Sequence, residues 1–283
     1  MATDEMWPIL QKAFVAVLGL MAVSAPAGAH AASPARFEEP WLASNPESMR
    51  KIDQSVWAAF LRRYVRIGPD NINRVAYGQV TPADRQALDD YLLQLSKIAI
   101  STYNRAEQLA YWINLYNALI VRTVLRNYPV ESILDISPGA STTGPWAAPI
   151  IEVEGQALSL GDIQNGILRP IWNDPRILYA LSCGALSCPN LRPEPFTSDR
   201  LSHQLSEAAI AFVNDPRCIR LEDRKLIVSS LFRWYREDFG GSDGAVIHYL
   251  MGVAEPDLAM KLEHFDRIDG DVFDWRLNDA TAS

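Results

Sequence analysis

The chain has 283 residues, 48% of them hydrophobic, and its 26 Lys+Arg against 34 Asp+Glu give a net charge of −8 and a pI near 5.1. That is enough apolar material for one sizeable core or two small ones. The acidic surface with no basic block argues against a nucleic-acid partner, and eight tryptophans with ten tyrosines argue against a disordered chain.

The first segment differs in kind from the rest. After Lys12 an uncharged apolar run extends from Ala13 to Ala29, broken by Pro26, and Ala29-His30-Ala31 fits a small-residue cleavage site. This is the build of a secretory signal peptide, predicted over residues 1–31. The run is marginal as a membrane span, so an uncleaved anchor is the weaker alternative. Asp4 and Glu5 fit poorly in a region that should be positive, and a start at Met6 instead of Met1 would remove both. The mature chain is therefore expected to be exported (periplasmic or secreted, in a bacterium) and soluble, with no stable membrane span once the signal is cleaved. Residues 32–48 are rich in Pro and Ser and read as a lead-in, residues 49–279 as a single domain, and residues 280–283 as a tail.

From there helical periodicity dominates. In "SVWAAFLRRYV", Val56, Phe60 and Tyr64 are spaced by four and predict one buried stripe. "TPADRQALDDYLLQLSKI" places Thr81 as N-cap and Pro82 at the first helical position, with Leu88, Tyr91, Leu92 and Leu95 facing inward. "RAEQLAYWINLYNALIVRTVLRNYP" is the longest helical pattern and stops before Pro129. A Gly/Pro/Ser/Thr-rich middle follows, with a hairpin predicted around Glu154-Gly155. A helix then resumes at "GDIQNGILRPIW", capped at Asp162, and "RILYALS" reads as a short buried strand. "DRLSHQLSEAAIAFVND" is helical again, "CIRLEDRKLIVSS" predicts a hairpin turning at Asp223-Arg224, and "SSLFRWYREDFGG" a helix ended by its glycines. The predicted fold class is α+β, a mostly helical single domain with a small β-sheet.

Three stretches could carry chemistry. "ILYALSCGALSCPNL" holds Cys183 and Cys188, two of the chain's three cysteines, the third being Cys218. A bridge between them requires a tight turn through Gly184–Ser187, because Cα atoms must come within about 7 Å. The alternative is a nucleophilic Cys183, which would need a base; the mature chain offers His203, His248 and His264, none in a local signature. Packed or bridged cysteines are the favoured reading. In "EQLAYWINLYNALI", Glu107 and Asn114 share a helix face with Asn117 about eighty degrees round, while Trp112 and Tyr116 form an aromatic pair. Two asparagines inside an apolar helix must either satisfy a neighbouring loop or line a pocket, and loop bracing is favoured. In "SLFRWYREDF", Asp238 falls on the apolar stripe and requires a partner, for which Arg169 and Arg176 are candidates. No zincin, zinc-ribbon, hydrolase-elbow, P-loop or dinucleotide motif is present, so no metal site and no cofactor are expected.

Together, "AYWINLYNALIVRTVLRNYPVESILDI", "GPW", "LSLGDIQNGILRPIWNDPRILYALSCGALSCPNL", "LFRWYREDF" and "FDWRLND" resemble the bacterial members of the domain of unknown function 547 family, from about Trp57 to Asp279. The resemblance implies an exported protein and brings with it no established general biochemical activity. Glu107, Trp112, Asn114, Asn117, Arg169, Arg176, Cys183, Cys188, Trp234, Tyr235 and Asp238 match the family pattern. Gln164-Asn165 stand where its members usually read Glu-His, Leu178 where they carry His, and Ser182 where they carry Asn. A scaffold kept with its histidines lost fits a structural or binding role better than chemistry. The leading expectation is therefore a non-catalytic module for a small molecule or protein partner, with a pocket near Asn114, Asn117 and Cys183. The alternative is a hydrolase or transferase with Cys183 as nucleophile.

Overall fold

The longest helical pattern, which the sequence makes apolar on almost every side, forms the centre of the molecule. In the computed structural model, which describes residues 38–137 and 144–280, this helix is enclosed by the elements before and after it. The predicted signal peptide, the choice of start codon and residues 281–283 of the tail lie outside the described residues.

Helix α1 (Glu38–Trp41) falls within the predicted lead-in, yet its Trp41 is buried and packs edge-on against Trp112. Helix α2 (Ser55–Tyr64) buries Trp57, Phe60, Leu61 and Tyr64. Of the predicted stripe, Phe60 and Tyr64 are buried and Val56 is not. Val56 is 38% exposed, and the larger indole of Trp57 takes the inward position. Strands β1 (Val65–Ile67) and β2 (Asn73–Val75) pair antiparallel. Helix α3 (Pro82–Ser96) starts as predicted: Thr81 Oγ1 accepts from Asp84 N, Pro82 sits first, and Leu88, Tyr91, Leu92 and Leu95 are buried. Helix α4 (Arg105–Asn127) is capped by Asn104, which accepts from Glu107 N, and is buried continuously from Glu107 to Val121. A helix enclosed on all sides belongs to the interior of a domain.

Strands β3 (Ile151–Val153) and β4 (Gln156–Leu158) form the predicted hairpin, with positive φ at Glu154 and Gly155. The next helix does not begin at an Asp162 cap. Ser159 and Asp162 bond reciprocally, Ser159 Oγ accepting from Asp162 N and Asp162 Oδ2 accepting from Ser159 N. Beyond them Asp162–Leu168 is a π-helix that closes with Arg169 N on Gln164 O and runs into α5 (Arg169–Trp172). The run "RILYALS" is not a strand. Ile177–Ala180 is a short buried helix, α6, nucleated where Asp174 Oδ1 accepts from Arg176 N just after Pro175. A short apolar run has no periodicity to separate buried strand from buried helix, and here the Asp-Pro turn decides.

Helix α7 (Leu201–Val213) leads to β5 (Ile219–Glu222) and β6 (Lys225–Ser229), which turn at Asp223-Arg224 as predicted; β7 (Gly270–Val272) adds parallel to β6. The helix predicted over "SSLFRWYREDFGG" is α8 (Leu231–Trp234) followed by a 3₁₀ turn, Arg236–Phe239, ended by Gly240 at φ 95°. Helices α9 (Asp243–Val253) and α10 (Pro256–Leu262) complete the second half. The architecture is α+β and mostly helical, with its strands divided between two hairpins and one three-stranded sheet.

Two clusters make the core. One surrounds α4; the other joins α7, α9 and the three-stranded sheet. Helix α6 serves both, with Ile177 and Ala180 in the first and Leu178 and Tyr179 in the second. The C-terminal segment 274–280 binds the halves by bridging to Val75, Ser132 and Ala185 in turn. Among the described residues no helix is long and apolar enough to cross a membrane.

Candidate functional site

Three buried polar side chains in the first part of α4, Glu107, Asn114 and Asn117, are committed to structure. Asn114 donates through Nδ2 to Phe196 O (2.8 Å) and accepts at Oδ1 from Phe196 N (3.0 Å). Asn117 does the same with two residues, donating to Ala180 O and accepting from Ser182 N, both at 2.9 Å. Glu107 accepts from Ile52 N and from Ser198 Oγ, with Lys51 Nζ at 3.7 Å. Trp112 lies against Trp41 and Tyr111 rather than pairing with Tyr116. The pocket expected near Asn114, Asn117 and Cys183 is therefore filled by main chain, because buried loop amides needed these partners.

The cysteines are joined. Cys183 and Cys188 form a disulfide with Cα atoms 5.6 Å apart, closed through the tight turn that the spacing demanded. Gly184 makes that turn at φ +79°, where any side chain would be strained and a Cβ would come within 2.9 Å of Ile133 Cδ1, so glycine is favoured. Locked in a bridge, Cys183 has no thiolate to attack with. His203, His248 and His264 are exposed, and His203 pairs with Glu207 on its own helix. Cys218 is buried and free, and burial pushes its thiol pKa up.

The bridge has a positioning consequence that cysteine spacing alone did not show. The Cys183–Cys188 loop docks on the C-terminal segment: Leu186 N donates to Arg276 O, Ser187 N to Asp274 O, and Asp274 N to Ser187 Oγ. Arg217, buried beside Asp215, holds the other side of the loop by donating to Leu186 O and Cys188 O. Phe273 and Trp275 are thereby fixed in place. Their rings lie 4.5 Å apart, Trp234 lies 4.8 Å from Phe273 and 5.5 Å from Trp275, and Trp146 meets Trp275 edge-on at 5.9 Å. All four rings are half-buried.

This aromatic wall borders a polar network built on the π-helix. Trp146 Nε1 donates to Tyr116 OH, Tyr116 OH donates to Gln164 Oε1, and Gln164 Nε2 donates to Tyr235 OH. Burial pushes both phenol pKa values up, so both stay neutral and able to donate. Arg169 lies over the Tyr235 ring at 4.6 Å and grips Asp238 with two bonds of 2.6 and 2.7 Å. Its third donor reaches Asn165 Oδ1 at 2.9 Å. The wide π turn is what lets Gln164, Asn165 and Arg169 serve one network, and such turns recur at functional sites. Of the two arginines considered for Asp238, Arg169 is the partner; Arg176 pairs with Asp174 and donates to Ser206 Oγ. Of the positions that depart from the resembled family, Gln164 and Asn165 lie in this network. Leu178 packs in the second core, and Ser182 is bound to Asn117.

Residues 100–213 match the family model described as Protein of unknown function, DUF547. The matched segment is shorter than the stretch from Trp57 to Asp279 over which motifs resemble that family. It contains α4, the π-helix and both bridged cysteines, and it leaves out Trp234, Tyr235, Asp238, Phe273 and Trp275. No curated protein and no solved structure matches the chain. Sequence reading singled out Arg169 and Asp238 but missed the aromatic wall, whose members come from three separate places in the chain. The available signal was the clustering of tryptophans near the C-terminal motifs.

Proposed function

We propose that this is an exported, non-catalytic binding module whose ligand lies on the Trp146–Trp234–Phe273–Trp275 wall beside Asn165. The observation that carries this reading is the wall itself: four half-buried rings in mutual contact, bordering a hydrogen-bonded network. Aromatic faces with an apolar body and a polar edge suit ligands that are flat on one side and hydrogen-bonding on the other. The charges of Arg169 and Asp238 neutralise each other, which favours a neutral ligand over an ionic one. A saccharide, with apolar ring faces and hydroxyl edges, meets both conditions. The bridged Cys183 and the exposed histidines favour binding over thiol chemistry. Calorimetric titration with cello- and chito-oligosaccharides tests the reading. Binding that is lost in Trp234→Ala supports it; no binding by any member of the panel, or unchanged binding in that variant, refutes it. Export is tested separately, by fractionating cells that express the full chain and sequencing the N-terminus of the mature protein.

A further inference from the structure

A groove lies between α3 and α4. Arg85, Leu88 and Asp89 occupy one face of α3 at spacings of three and four, and Arg122, Leu125 and Arg126 occupy one face of α4 in the same pattern. These six residues line a groove of about 190 Å³. Its floor is the buried pair Leu88 and Leu125, and its rim carries three guanidinium groups against one carboxylate.

The bonds of those guanidiniums leave charge uncompensated. Arg126 Nη2 pairs with Asp89 at 2.8 Å. Arg85 donates through Nη1 to Leu125 O, and Arg122 through Nη2 to Ile150 O, so both are held by neutral carbonyls. Arg122 and Arg126 stand one turn apart on the same helix, where like charges repel. Burial, and after it the neighbouring Arg126, push the Arg122 pKa down against a smaller opposing pull from Asp89. The N-terminal end of α3 and the C-terminal end of α4 both lie near the groove, so their helix dipoles oppose each other and do not cancel this charge. An acidic protein of net charge −8 thus carries a groove with two more positive than negative groups.

We infer that this groove binds a compact dianionic oxyanion, a phosphate or a phosphomonoester, between Arg85, Arg122 and Arg126. Guanidinium forks match phosphate oxygens in pairs, and a dianion balances the surplus charge. The groove volume suits a single phosphoryl group with little attached.

The experiment uses the full chain and inorganic phosphate as the probe. Phosphate should raise the thermal midpoint above that in sodium chloride of equal ionic strength, with saturation. Arg126→Gln should weaken phosphate binding by about tenfold, as expected for one lost charge-assisted contact. Asp89→Asn, which removes the competing carboxylate, should strengthen it. Both positions are surface-reachable, so both variants should fold, and circular dichroism checks this. Vesicles of phosphatidic acid compared with phosphatidylcholine separate a lipid phosphomonoester from a free one: sedimentation with the former alone, abolished by Arg126→Gln, identifies a lipid source. A phosphate response no larger than that of chloride, or one equal in the wild type, Arg126→Gln and Asp89→Asn, would overturn the inference.

Discussion

Two polar-bearing helices of this protein spend their side chains differently. On α4, Asn114 and Asn117 use both ends of their amides on the main chain of distant loops, and Glu107 likewise takes a main-chain amide. On the π-helix and at the start of α5, Gln164, Asn165 and Arg169 bond to other side chains: Tyr116, Tyr235, Asp238 and each other. Main-chain groups cannot find another partner once buried, so the first kind of residue is a brace whose loss leaves the fold unsatisfied. Side-chain partners can rotate or turn to solvent, and a network of them at a half-buried surface can exchange an internal bond for one to a ligand. Two stretches of buried amides can therefore look alike in sequence and differ in what they do.

The contrast can be broken by substitution. Asn114→Leu should have the largest effect, because Phe196 N and O would both be left buried and unpaired, at a cost of about 3 kcal/mol. Urea unfolding measures it, and a loss under 1 kcal/mol would show that the loop re-pairs without the amide. Reduction of Cys183–Cys188 comes next, at about 2 kcal/mol for so short a loop. It should also change tryptophan emission, since the loop fixes the segment carrying Trp275; a stability loss with unaltered emission would uncouple the bridge from the wall. Asn165→Ala should be milder, at about 0.5–1 kcal/mol, because Arg169 keeps both bonds to Asp238. On the account above it weakens ligand binding more than folding, the reverse of Asn114→Leu.

The smallest expected effect is one of pH. Hydrogen bonding from Arg276 holds the Asp274 carboxyl below its ordinary value. Its folded pKa is depressed, so its contribution to stability is complete above the ordinary aspartate value near 4 and is lost as the pH falls through the lower folded value. Asp274 is partly exposed, so the contribution is small. Asp274→Asn should lower thermal stability slightly at neutral pH and flatten the acid limb of the profile, so that variant and wild type converge as the pH falls; a loss as large in acid as at pH 7 would assign the residue a different role.

Much of the framework was legible in the sequence, and the reasons are local. The Thr81-Pro82 start, the end of α4 before Pro129, and the two hairpin turns are set by residues within a few positions of each other. The exchange of Val56 for Trp57 on the buried face of α2 and the helical form of Ile177–Ala180 were not legible, because tertiary packing of Trp57 and an Asp-Pro turn outweighed the pattern. The choice between pocket and brace for Asn114 and Asn117 needed the positions of Phe196 and Ala180, far along the chain. The aromatic wall is the least local feature of all, assembled only when the disulfide loop docks the C-terminal segment.

The most direct test of the account observes the tryptophan indoles one by one. In a 15N–1H correlation spectrum of the full chain, a chitotetraose titration should shift the indole signals of Trp146, Trp234 and Trp275 while leaving those of the enclosed Trp57 and Trp112 in place. Unmoved wall signals throughout the titration, or shifts spread equally over the interior tryptophans, would contradict it.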